Sequence, residues 1–70
     1  PAYYEQAVEN MNHGKRFRVY HDGEFKNAYI TDLKNGRYRY TGATLNNKKI
    51  LTHLEVEYRE LRKMGITLGR

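Results

Sequence analysis

KRFRVYHDGEFKNAYITDLKNGRYRYT, residues 15–41, is the stretch that decides the fold. Lys15–Tyr20 alternates basic with apolar side chains, Glu24–Leu33 is rich in β-formers, and Arg37–Thr41 alternates again. Period-two alternation is the mark of half-buried strands. Asp22-Gly23 and Asn35-Gly36, which separate the runs, are strong signals for tight hairpin turns. The stretch therefore predicts a three-stranded antiparallel meander.

Loop length sets register, and register sets which side chains share a face. A two-residue Asn35-Gly36 turn places Leu33 opposite Tyr38, Thr31 opposite Tyr40 and Asp32 opposite Arg39, where the carboxylate can neutralise the arginine. A three-residue His21-Asp22-Gly23 loop, with Gly23 left-handed, places Val19 opposite Phe25 and Phe17 opposite Asn27. One face then carries Phe17, Val19, Phe25, Tyr29, Leu33, Tyr38 and Tyr40. The other carries Arg16, Arg18, Tyr20, Lys26, Ala28, Ile30, Arg37 and Arg39. A two-residue loop at Asp22-Gly23 would instead flip the first strand and mix its arginines with the aromatics. The three-residue register is preferred because it keeps the apolar side chains together.

Outward from the meander, residues 2–12 predict a helix. Tyr3, Tyr4, Ala7, Val8 and Met11 fall within an arc of about 140° at 100° per residue. Gly14 offers a left-handed stop. Beyond Thr41, residues 42–49 form a connection in which Ala43-Thr44-Leu45 suits a short strand and Asn46–Lys49 an exposed turn. Ile50 and Leu51 suit a brief pairing. Residues 53–64 predict a second helix: Thr52 and Glu55 have capping-box spacing, and Glu55 and Arg59 form an i,i+4 pair. Gly65 is a left-handed stop, and Ile66 is placed to touch Leu61 as in a Schellman motif. Leu54–Arg59 also alternates as a strand does; the cap, the stop and the ion pair favour the helix. The expected class is α+β, with an N-terminal helix, a three-stranded antiparallel meander and a C-terminal helix, the helices on the apolar sheet face. A small twisted barrel with an extra short strand is the other arrangement that fits.

The chain has 70 residues, which suits a single domain over 1–70. A core of this size supplies roughly 3–5 kcal/mol of net stability. There is no cysteine, which excludes disulfides and thiolate metal sites and fits a cytoplasmic setting, bacterial or viral. Association is a further route to stability, so a homodimer is open. Mean hydropathy is −0.97, and no apolar run approaches the ~20 residues of a membrane helix, so no membrane contact is expected.

Thirteen Lys and Arg oppose eight Asp and Glu, for a net charge of +5. Residues 15–49 hold nine bases and three acids, residues 1–14 only two acids, and residues 50–70 four bases and three acids. The excess thus sits on the meander and the loop after it. Arg16, Arg18, Lys26, Arg37 and Arg39 with Tyr20 form the first candidate site, because guanidinium forks match phosphate oxygens and a tyrosine can stack on a base. The same residues also suit an ordinary solvated face. Lys48 and Lys49 are a second basic element, in a loop that equally reads as a soluble turn. Arg59, Arg62 and Lys63 share their helix with Glu55, Glu57 and Glu60 and read as structural.

His13, His21 and His53 stand apart, with no second ligand at i+3 or i+4, so no metal is expected, and no cofactor motif or catalytic constellation is present. Pro1 suits a processed N-terminus. Its secondary amine can act as a base, but small enzymes that use one place it at the head of a strand, whereas a helix follows here, and geometry comes before pKa. The expected function is non-enzymatic binding of DNA or RNA, as a small binding protein or regulator. The alternative is a protein-interaction module, an inhibitor or accessory subunit, that meets an acidic protein partner through its seven tyrosines and its arginines.

Overall fold

The computed structural model describes residues 2–68; Pro1, Gly69 and Arg70 lie outside the described residues, and with Pro1 its reading as a processed N-terminus. Helix α1 (Ala2–His13) leads into strands β1 (Lys15–His21), β2 (Glu24–Asp32), β3 (Arg37–Ala43) and β4 (Ile50–Glu57), followed by helix α2 (Tyr58–Lys63). The strands form one antiparallel sheet in the order β1-β2-β3-β4. The class is α+β as expected, with a fourth full strand and an open sheet rather than a barrel.

The fourth strand is a correction. Residues 50–57 pair along β3, from Arg37 opposite Glu57 to Gly42 opposite Thr52, with a bulge at Leu51 before Ala43 meets Ile50. The alternation of Leu54–Glu57 prevails over the capping signal because β3 offers a complete ladder of partners. Only six residues are left for α2, whose N-cap is Glu57 with no side-chain cap bond. The expected Glu55–Arg59 pair is replaced by Arg37–Glu55 at 3.4 Å and Arg59–Glu57 at 3.0 Å.

Both hairpins differ from the expected register by one residue, in opposite senses. Asp22 (φ 53°) and Gly23 (φ 79°) are both left-handed, the signature of a two-residue type I′ turn, and His21 lies opposite Glu24. The second loop has three residues, Lys34-Asn35-Gly36. Leu33 N–H donates to the Arg37 carbonyl at 3.1 Å, and the Asp32 and Asn35 side chains accept from the Lys34 and Arg37 amides at 2.8 and 3.0 Å. Asp32 is thus engaged within the turn, opposite Tyr38, and Thr31 is the residue opposite Arg39. The two changes cancel for β1 and β3 and turn β2 over. Lys26, Ala28 and Ile30 share a face with Phe17, Val19, Tyr38 and Tyr40, while Phe25, Asn27 and Tyr29 join the arginines.

The apolar core lies on the first of these faces. Val19, Ala28, Ile30, Tyr38, Tyr40 and Val56 pack under Leu61 and Ile66, with Phe17, Tyr58, Met64 and Leu68 at its margin. The end of α2 is the Schellman motif read from the sequence. Ile66 N–H donates to the Leu61 carbonyl and Gly65 N–H to that of Arg62, each at 3.0 Å, with Gly65 at φ 83°. The motif folds Ile66 back beside Leu61.

Helix α1 lies on the opposite face, across β2, β3 and β4. The helices are therefore divided between the two faces, not gathered on one. Tyr3 and Tyr4 are more than half exposed, and the buried residues of α1 are Ala7 and Asn10. The floor beneath the helix explains this. Beneath Asn10 it is made of threonine hydroxyls and strand carbonyls, which an amide side chain can bond, while Tyr3 packs at its margin on His53. Asn10 Nδ2 donates to Tyr29 O (2.9 Å), Thr41 Oγ1 (2.8 Å) and, at 3.3 Å, Arg39 O. Its Oδ1 accepts from the Thr31 hydroxyl. Gly14 is needed for room, not for a left-handed turn: a Cβ there would stand 2.6 Å from the Asn10 carbonyl and 3.1 Å from that of Ile30.

Candidate nucleic-acid interface

A two-residue turn makes the pair that flanks it hydrogen-bonded, so the next pairs alternate. Tyr20 opposite Phe25, Arg18 opposite Asn27 and Arg16 opposite Tyr29 are then the non-hydrogen-bonded pairs, whose side chains stand closest across the strands. Tyr20 and Phe25 form an edge-to-face pair with ring centroids 4.9 Å apart. Both are more than half exposed. Arg16 and Arg18 are exposed and have no ion pair among the described residues.

The loop after β3 is built onto this surface. Asn47, left-handed at φ 60°, accepts from Tyr29 Oη at 2.7 Å and from Asn27 Nδ2 at 3.0 Å. Asn27 Nδ2 also reaches the Leu45 carbonyl at 3.2 Å. Asn46 accepts from the Thr44 hydroxyl and the Lys48 amide, and Lys49 pairs with Thr44 through the backbone in both side-chain and main-chain bonds. The segment is a hydrogen-bonded platform, not a loose turn. It carries Lys48 and Lys49, both exposed, and its Leu45 carbonyl and Asn47 side chain sit on the β2 residues that face Arg16 and Arg18. Between this platform and α1 lies a hollow of about 320 Å³ with Tyr29 in it, bordered by Tyr4, Val8 and Lys48.

The remaining candidates are elsewhere. Lys26 is on the opposite face, a consequence of the turned β2. Arg37 and Arg39 share the arginine face by register, but beside β4 instead of β1. Arg37 is bound to Glu55, through the carboxylate at 3.4 Å and the carbonyl at 3.3 Å. Arg39 is half-buried and stands opposite Glu55. Helix α1, bearing exposed Glu5 and Glu9, lies across the same face. Arg16, Arg18 and Tyr20 thus share one side of the β1–β2 hairpin, with the loop of Lys48 and Lys49 bonded to the facing β2 residues, and Arg37 and Arg39 form a second, charge-compensated group. Phe25 is the residue that sequence reasoning missed. The Asp22-Gly23 pair, read as a two-residue turn, is the signal that places it across from Tyr20.

On the other face, α2 and β4 border a hollow of about 850 Å³ reached by Lys26, Tyr40, Leu51 and Leu54. The charges around it are largely paired, as Arg59–Glu57 and Lys63–Glu60 at 3.0 and 3.5 Å. Among the described residues no group of three or more His, Asp or Glu is placed to hold a metal ion. No helix among them is long and apolar enough to cross a membrane.

His53 joins the network under α1. Its Nδ1 is 2.7 Å from Thr41 Oγ1. That oxygen also accepts from Asn10, so Thr41 ties the ring and the helix amide into one hydrogen-bonded network, with the ring tautomer setting which of Thr41 and His53 donates. Tyr3 packs edge-on at 5.3 Å. Burial, and then the Arg39 charge, hold the His53 pKa below its ordinary 6.5. A lowered histidine pKa means that the unfolded chain takes up the proton first. The contribution to stability is full above pH 6.5 and is lost as pH falls from there through the folded value. The melting temperature is expected to fall as pH drops below 6.5, and to fall less in His53→Gln. Equal slopes in the two proteins would rule this out.

Compared with known proteins, the chain matches no family model, no curated protein and no solved structure.

Proposed function

We propose that this chain is a nucleic-acid-binding protein or small regulator, with no enzymatic activity of its own, that holds the phosphate backbone with Arg16 and Arg18 of β1 and Lys48 and Lys49 of the β3–β4 loop. The observation that carries the reading is that these cations are exposed and lack carboxylate partners among the described residues, on a strand and on a loop bonded to the neighbouring strand, whereas Arg37, Arg59 and Lys63 are ion-paired. Arginine forks at such a surface bind phosphate oxygens, and release of condensed counterions supplies most of the affinity.

Binding to labelled DNA and RNA, measured against salt, tests the reading. Affinity is expected to fall linearly on a log–log plot, and each of Arg16→Ala and Arg18→Ala to lower the slope by about 0.7–0.9. Lys26→Ala, on the opposite face, is expected to leave the slope unchanged. Absence of binding to every strand type at low salt overturns the proposal. If, in addition, one protein partner is captured at fixed stoichiometry and survives nuclease treatment, the protein-interaction reading takes its place.

A further inference from the structure

We infer that the nucleic acid taken by this surface is single-stranded, with unstacked bases resting on the Tyr20–Phe25 pair while Arg16 and Arg18 hold consecutive phosphates. The inference rests on the proposed function and narrows it to a ligand class.

Three features carry it. The first is the exposed aromatic pair in line with the arginines. Tyr20 and Phe25 are 63% and 56% exposed, although the apolar core is on the other side of the sheet. Against a duplex, whose base faces are hidden in the stack, such rings meet only the sugar-phosphate wall. Against a single strand every base offers a π-face, and stacking on aromatic side chains is the common means of holding it without sequence preference.

The second feature is the shape of the charged row. Arg16, Arg18 and Tyr20 lie at every second residue of one strand, so they recur about every 6.6 Å along a single line. That line suits one extended chain of phosphates. A duplex presents two phosphate strands, and across the sheet from this line Arg37 and Arg39 stand beside Glu55. Helix α1, with exposed Glu5 and Glu9, lies across β2, β3 and β4 on the same face.

The third feature excludes the usual way for a two-stranded ribbon to read a duplex, which is to enter the major groove. The tip of the β1–β2 hairpin carries Asp22 and Glu24, both exposed, which phosphate walls repel. The ribbon's other face is closed, because Val19 and Ala28 are buried in the core. A single strand needs no such entry. It passes along the arginine side of β1, from the aromatic pair towards the platform of Lys48.

The test is fluorescence anisotropy on the intact chain, with a labelled single-stranded oligothymidine, an oligouridine and a self-complementary hairpin duplex of equal charge. Tyr20→Ala and Phe25→Ala are exposed substitutions, checked for unchanged melting. Single strands are expected to bind at least about tenfold tighter than the duplex, and each ring deletion to weaken them roughly 5- to 100-fold with no change in salt slope. Arg16→Ala with Arg18→Ala is expected to lower the single-strand slope by about 1.4. Duplex binding as tight as or tighter than single-strand binding, or ring deletions without effect, overturns the inference and leaves the proposed function standing. Binding to none of the three probes overturns both.

Discussion

Asn10→Ala is expected to lower the melting temperature by roughly 10–20 °C. Asn10 is 2% exposed, and its amide donates to Tyr29 O and Thr41 Oγ1 while accepting from Thr31. A buried hydrogen bond contributes about 1 kcal/mol, and a buried partner left unsatisfied costs about 1–3. The Thr31 hydroxyl loses its acceptor outright, and Thr41 loses one of the two groups that hold it under the helix. A total near 3 kcal/mol consumes most of the stability a core of this size provides, and each kcal/mol moves the midpoint by about 4–8 °C in a domain this small. Asn10→Asp is expected to do no better, because it keeps the acceptor for Thr31 but loses both donors and buries a charge. Thermal melts followed by circular dichroism measure the shift, and hydrogen exchange locates it, with α1 amides losing protection before those of β2 and β3. A midpoint within about 5 °C of the parent would show that α1 is not held by this network.

Leu61→Ala is the second change with a large expected effect. Leu61 is fully buried and packs with Ile66 over Val19, Ile30, Tyr38 and Val56. Leucine-to-alanine truncations in cores cost about 2–5 kcal/mol, through lost transfer energy and the cavity left behind. Here the loss has a structural consequence as well. A six-residue helix does not persist in water unaided, so α2 depends on Leu61 and on the Schellman turn that brings Ile66 back beside it. Truncation is expected to free α2 and the following residues and to bare the core face of the sheet, read as dye binding and loss of cooperative unfolding. Leu54→Ala, at a residue 47% exposed, serves as the comparison and is expected to cost under about 1 kcal/mol. Similar melting curves for the two variants would refute the account of the core.

The parts of this fold that were legible in the sequence are those decided within a few residues. The extent of α1, the positions though not the loop lengths of the two hairpins, and the Gly65-Ile66 closure of α2 all depend on local chemistry: helix-forming composition, left-handed Gly23, Gly36 and Gly65, and one contact five residues apart. The concentration of positive charge in residues 15–49 was equally plain. The candidate surface was half legible. Arg16, Arg18 and Tyr20 do share a face with Arg37 and Arg39, but only because two one-residue differences in loop length cancel.

The α+β class and the concentration of positive charge in residues 15–49 were set by the sequence by itself, because each follows from short-range pattern. The face of β2, the length of β4 and the buried side of α1 were decided only in the tertiary structure. Side-chain direction in a strand is a parity, so one residue more or less in a turn, locally almost neutral, moves Lys26 away from the arginines and puts Phe25 beside them. Residues 54–59 satisfy both helical and strand periods, and the choice falls to β3, which supplies a ladder that an isolated segment lacks. Asn10 reads as solvent-facing on a helical wheel until a floor of hydroxyls and carbonyls makes it the best-bonded side chain beneath α1. What began as one basic sheet face is, in three dimensions, a line of arginines and aromatics on one edge hairpin.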